Sequence, residues 1–117
     1  MWLVPAQAKI FLYLEPVDMR KSINTLSILV AEVLQCDPSS GHLFLFRNRR
    51  GDKLKALSYE TNCFTLWYRR LDQGKYIFPR DKEGNIEIDA EHFQWILASD
   101  KYTYLDRKKP ISYKNFY

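Results

Sequence analysis

Residues 42–47, His-Leu-Phe-Leu-Phe-Arg, are apolar on both alternating faces, with Phe44 and Phe46 on one and Leu43 and Leu45 on the other. Successive side chains of a strand point to opposite sides. A strand apolar on both sides belongs inside a sheet, so 42–47 reads as a central strand. The next residues constrain the fold further. "NRRGD" is a turn in which Gly51 is free to take positive φ. "KLKALSYE" (53–60) then reads as a second strand and "FTLWYRRL" (64–71) as a third. "QG" punctuates the chain before "KYIFP", a short strand with Pro79 at its end. The middle of the chain is thus expected to form an antiparallel meander of three or four strands.

The flanks supply helices. "AKIFLYL" (8–14) reads as a first strand, and "EPVD" turns the chain. Asp18 is the expected N-cap of a helix over 19–35. Ile23, Leu26, Leu29, Val30, Val33 and Leu34 recur at helical spacing and form its buried stripe. "CDPSSG" stops it. After the polar turn "RDKEGN", a short strand is expected at 86–88. Asp89 then caps a second, short helix ending near Ala98, with Phe93, Ile96 and Leu97 on its apolar face. A chain of 117 residues defaults to one domain. The expected fold is a single α+β domain: an antiparallel meander packed against one long helix, plus a short C-terminal helix. Residues 1–106 make the domain, and 107–117 form a basic, aromatic tail.

Charge is distributed unevenly over this scaffold. The segment 47–80 carries nine basic residues against Asp52, Glu60 and Asp72, a net +6, so the remainder of this +4 chain is −2. Four cations of "FRNRRGDK" crowd one tight turn, where mutual repulsion contributes nothing to folding. The asymmetry points to one basic face and an anionic partner. Arginine's planar fork matches phosphate oxygens and guanine edges. Arg47, Arg49, Arg50, Lys53, Lys55, Arg69 and Arg70 are therefore the candidate phosphate contacts. Tyr59, Trp67 and Tyr68 would add stacking on an unpaired strand. An acidic protein surface is a second reading of the same charge. A merely solvated turn, with lysines that discourage strand pairing and aromatics that fill the core, is a third. Arg20 and Lys21 form a possible second patch. Cations are disfavoured at a helix start, so they call for either a surface role or a salt bridge from Arg20 to Asp18 or Glu15.

Catalytic signatures are sparse. The four glycines form no phosphate loop, and the acids Asp18, Asp37, Asp52 and Asp89 read as caps and turn residues. His42 and His92 are isolated, and Cys36 and Cys63 make no metal pattern. The reading is a non-enzyme without metal or cofactor; a nuclease is the enzyme reading set against it. Two cysteines suit a reducing cytoplasm, and the apolar start is too short and interrupted for a membrane span.

Three segments, "PVDMRKSINTL", "GHLFLFRNRRGDKLKALSYE" and "FTLWYRRLDQGKYIFPR", resemble in order and spacing the TnpB accessory (Orf2-like) proteins of IS-66 type bacterial insertion sequences. The resemblance covers about residues 9–97. It carries the "DMRK" block onto Asp18, Met19, Arg20 and Lys21. Gly41, His42, Phe44, Phe46, Arg47, Arg49 and Arg50 match the central block, and Tyr68, Arg70, Leu71, Gly74 and Pro79 the third. It implies a small protein that supports transposition beside a separate, larger transposase holding the catalytic acids. The transposase and other proteins of the same element are the partners it implies; DNA is the partner that the basic segment 47–80 points to. The alternative to DNA contact is an adaptor that docks on the transposase. Two departures stand out: "ETNC" replaces the usual Asp-Gly turn, and Gly51 stands where another basic residue is common.

Overall fold

The computed structural model of the chain describes residues 7–79 and 83–98. Seven elements follow in order: β1 (Ile10–Tyr13), α1 (Ile23–Glu32), β2 (Leu43–Arg47), β3 (Lys53–Glu60), β4 (Cys63–Arg70), β5 (Asn85–Ile88) and α2 (Ala90–Leu97). The strands form one sheet in the order β4-β3-β2-β1-β5. β2 lies at its centre and is buried along its whole length, as its two apolar faces demand.

Each face of β2 receives its own helix. Phe44 and Phe46 pack with Leu57 beneath Leu26 and Val30 of α1. Leu43 and Leu45 pack on the opposite side with Ile10, Leu12, Leu54 and Ala56, beneath Phe93, Trp95 and Ile96 of α2. The period-2 alternation of β1, β2 and β3 thus divides the core into two apolar layers with the sheet between them. Each large side chain buried in these layers contributes about 1.5–3 kcal/mol relative to exposure.

The class is α+β, and β2, β3 and β4 form the expected antiparallel meander. The sheet as a whole is mixed, because β1 pairs parallel to β2 with α1 as the crossover, and β5 closes the other side antiparallel to β1. Parallel neighbours require such a crossover. The expected strand at "KYIFP" is absent: Tyr76 and Phe78 are buried there, but the segment joins no sheet. The first helix is shorter than 19–35 and is capped by Ser22, whose N–H donates to Thr25 Oγ1 at 2.9 Å. Asp18 instead closes a turn, accepting the Arg20 N–H at 2.8 Å. Gln35, at φ 55°, ends the helix in the left-handed region. Val33, expected in the buried stripe, is exposed. Asp89 caps α2 as expected and accepts the His92 N–H at 2.7 Å. Asp37 also holds a turn, accepting the Ser39 N–H at 2.9 Å. Arg80, Asp100 and the tail 107–117 lie outside the described residues.

Candidate nucleic-acid interface

The β2–β3 turn takes its shape from Asn48, not from its arginines. Asn48 Oδ1 accepts the N–H groups of Gly51 and Lys53, both at 3.0 Å, and its Nδ2 donates to Asp52 at 2.7 Å. The latter bond holds the Asp52 carboxyl below its ordinary pKa. Gly51 sits at φ 87° and is buried, with the Lys75 stem 3.4 Å from where a Cβ would stand. Its carbonyl accepts the Tyr76 N–H at 2.7 Å. An asparagine, a glycine and an aspartate thus fix the loop, and Arg49 and Arg50 are left exposed at its tip.

The loop before α1 is brought to the same end of the sheet by two buried cations. Arg47 is 6% exposed. Its Nη2 donates to the Leu14 carbonyl at 2.7 Å, its Nη1 to the Asn48 carbonyl at 3.3 Å, and its guanidinium lies 5.5 Å from the Phe78 ring centroid. The Arg47 carbonyl accepts the Val17 N–H at 2.9 Å. Lys55 is 8% exposed, and its Nζ donates to the carbonyls of Met19 at 2.7 Å and Lys21 at 2.6 Å. Desolvation pushes its pKa down, with Asp18 acting in the opposite sense. These two residues, expected to touch phosphate, instead pin one loop against another. A buried cation must be compensated by hydrogen bonds, and these carbonyls supply them.

Between the two loops lies an open groove of about 700 Å³, lined by Pro16, Val17, Asp18, Met19, Arg20, Asn48, Arg49, Arg50, Lys53 and Tyr68. The expected second patch at Arg20 is therefore continuous with the hairpin. Arg20 is 91% exposed on its side chain and binds Asp18 at 2.6 Å. The Arg20 side-chain hydrogen bonds, then its backbone N–H, pull the Asp18 carboxyl down to about 2. The same bond raises the Arg20 guanidinium. Among the described residues no carboxylate lies within ion-pair distance of Arg49, Arg50, Lys53, Arg69 or Arg70.

Strand register assigns the remaining candidates. Lys53 faces Arg70 and Lys55 faces Tyr68, so Arg70 and Tyr68 share the groove side of the sheet. Arg69 pairs with Leu54, and Trp67 with Ala56, on the α2 side. Arg69 and Lys53 thus project from opposite faces. Lys21 is half-buried at the end of the pre-α1 loop. The structural use of Arg47 and Lys55 had a signal in the sequence: each alternates with core residues, Arg47 with Leu43 and Leu45, Lys55 with Leu57. Asn48 was missed altogether, although asparagine opening a glycine-bearing turn is itself a signal.

Over residues 8–106 the chain matches the family described as IS66 Orf2 like protein. The chain belongs to the IS66 Orf2-like family. Two relatives come from Sinorhizobium fredii (strain NBRC 101917 / NGR234). Uncharacterized protein y4jC is 34% identical over 100 residues, covering 86% of each chain. Uncharacterized protein y4hO is 35% identical over 81 residues, covering 69% of this chain and 70% of its own. No solved structure matches the chain. Membership implies an accessory role in the transposition of IS66-type elements. Both walls of the groove in this IS66 Orf2-like protein fall within the matched residues.

The two histidines are built into the scaffold. His42 Nδ1 accepts the Lys9 N–H at 2.9 Å, and its ring meets Phe11 edge-on. His92 is shielded from solvent beside Trp95, and desolvation drives its pKa down to about 4 against a smaller opposing pull from Asp89. Both cysteines are unbridged. Among the described residues no three His, Cys, Asp or Glu side chains stand together as a metal site, and no helix is long and apolar enough to cross a membrane.

Proposed function

We propose that this IS66 Orf2-like protein is a non-catalytic, DNA-binding component of the transposition machinery, working beside a separate transposase. The observation that carries the reading is the convergence of Arg20, Arg49, Arg50 and Lys53 on one groove, with Arg70 beside Lys53. Among the described residues the one carboxylate lining that groove, Asp18, is already engaged by Arg20. Arg49, Arg50, Lys53 and Arg70 bind phosphates, Arg20 and Lys21 extend the track, and Arg69 meets DNA only where it wraps around the outer edge of β4. Arg47 and Lys55 act from behind by holding the two loops together.

Phosphate contacts release condensed counterions, so affinity falls with salt by about 0.9 logarithmic units per decade for each phosphate neutralised. Four or five contacts predict a loss of roughly 10²- to 10³-fold between 50 and 200 mM salt. Titration of labelled duplex at those two salt concentrations checks this. The double substitution Arg49→Glu, Arg50→Glu should abolish most binding and flatten the slope by about 2. No shift at low salt removes the proposal.

A second reading, an adaptor docking on the transposase, is favoured by the exposure of Trp67 and Tyr68 on the outermost strand β4. Co-purification with the transposase by the same double variant, after its DNA binding is lost, separates the two roles.

A further inference from the structure

Resting on the DNA-binding reading, we propose that the groove takes unpaired DNA, with a base stacked on Tyr68 and the flanking phosphates held by Arg49, Arg50, Lys53 and Arg70. Tyr68 is a large aromatic left 54% exposed, the most exposed of the large hydrophobic side chains that the sheet carries on its groove side among the described residues. It lines the groove beside Arg49, Arg50 and Lys53. Lys55 Nζ, itself buried, lies 5.3 Å from the Tyr68 ring centroid and is held there by the Met19 and Lys21 carbonyls. One face of the ring is thereby seated on a fixed cation. The ring nevertheless stays more than half exposed and lines the groove. The ring is thus preorganised as a platform, and binding need not order it.

The dimensions and chemistry select the ligand. The groove, about 700 Å³, is open along its length and can seat an extended chain of bases and phosphates. An aromatic face set among cations that follow the backbone is the arrangement by which proteins hold unpaired strands, and it tolerates any base because every base has a π face. Duplex bases are stacked on one another and cannot occupy the platform. Phosphates of a duplex can still touch Arg49 and Arg50 at the exposed tip, and this makes the two binding modes separable.

The test compares a fluorescein-labelled oligothymidylate of fifteen nucleotides with a labelled fifteen-base-pair duplex, by anisotropy at 50 mM salt. The expected result is tighter binding of the single strand, a loss of about tenfold or more on Tyr68→Ala for the single strand alone, and rescue by Tyr68→Phe and Tyr68→Trp. Thermal melts of the variants confirm an intact fold. Equal loss on both ligands, or failure of the aromatic variants to rescue, overturns the stacking site while leaving the DNA-binding reading in place. Unchanged single-strand affinity in Tyr68→Ala does the same. Absence of binding to either ligand overturns the DNA-binding reading and this inference together.

Discussion

Two lysines two residues apart on one strand have opposite uses. Lys53 faces the groove beside Arg70, whereas Lys55 is buried and donates to the Met19 and Lys21 carbonyls. Replacing Lys55 by methionine keeps the stem and removes the ammonium, leaving two carbonyls of the pre-α1 loop without their donor. A fully buried acceptor so abandoned costs about 1–3 kcal/mol, and these two, being part-buried, cost toward the low end each. Lys55→Met should therefore lower urea-unfolding stability by roughly 2 kcal/mol and weaken DNA binding indirectly, through a loosened groove wall. Lys53→Met should leave stability within about 0.5 kcal/mol and lower DNA affinity directly. Equal stability of the two variants would show that the pin is dispensable. Composition could not distinguish these residues, because both count as one positive charge. What separates them is the side chains two positions away: a cation alternating with Leu57 on a strand beneath a helix has nowhere to go but inward.

Turn chemistry at the β3–β4 hairpin is a local conflict that the fold tolerates. Glu60 pairs with Cys63, so Thr61 and Asn62 alone make the connection, at φ 53° and 62°. A two-residue hairpin turn demands positive φ at both positions and favours Asn-Gly or Asp-Gly. Asparagine tolerates that region, but a β-branched threonine is an outlier there. The double change Thr61→Asp, Asn62→Gly should raise stability by roughly 1–2 kcal/mol and increase the melting temperature without touching the groove at the opposite end of the strands. A lower melting temperature would mean that Thr61 makes a compensating contact. Elements whose signals were purely local were legible in the sequence: β3, β4 and the Asp89 cap of α2 fall within a residue of expectation. α1 was misjudged at its start because Asp18 and Ser22 both offer capping oxygens. The choice between them is made by Lys55, which binds the carbonyls of Met19 and Lys21 and draws the chain out of helical geometry. The "KYIFP" segment was misjudged because Tyr76 and Phe78 look like strand residues, while their burial comes from packing under the sheet and not from pairing within it.

The whole molecule is organised by one decision, that both faces of β2 are apolar. Periodicity within the run declared two buried faces but carried no information on which strand would lie beside β2 on its second edge. β1 takes that place because α1, packed on Phe44 and Phe46, carries the chain across the face and sets β1 parallel to β2. The groove follows from this topology: it forms where the crossover leaves β1 and where β2 turns into β3, two chain segments thirty residues apart in sequence. Its cations could be counted in advance, but their convergence could not. The same architecture predicts how the core will respond to damage. Leu26 lies in the layer under α1 and Ile96 in the layer under α2, and the two layers share no member. Leu26→Ala should cost about 2–5 kcal/mol and Ile96→Val about 0.5–1.5 kcal/mol. With the sheet between them and no common partner, the double variant should lose the sum to within about 0.5 kcal/mol. Unfolding should nevertheless remain one cooperative transition by circular dichroism and tryptophan fluorescence, since β1, β2 and β3 each lend side chains to both layers. A coupling larger than about 1 kcal/mol would show that β2 transmits repacking from one face to the other. In that case a ligand that shifts the pre-α1 loop would also be felt on the far side of the sheet, beneath α2.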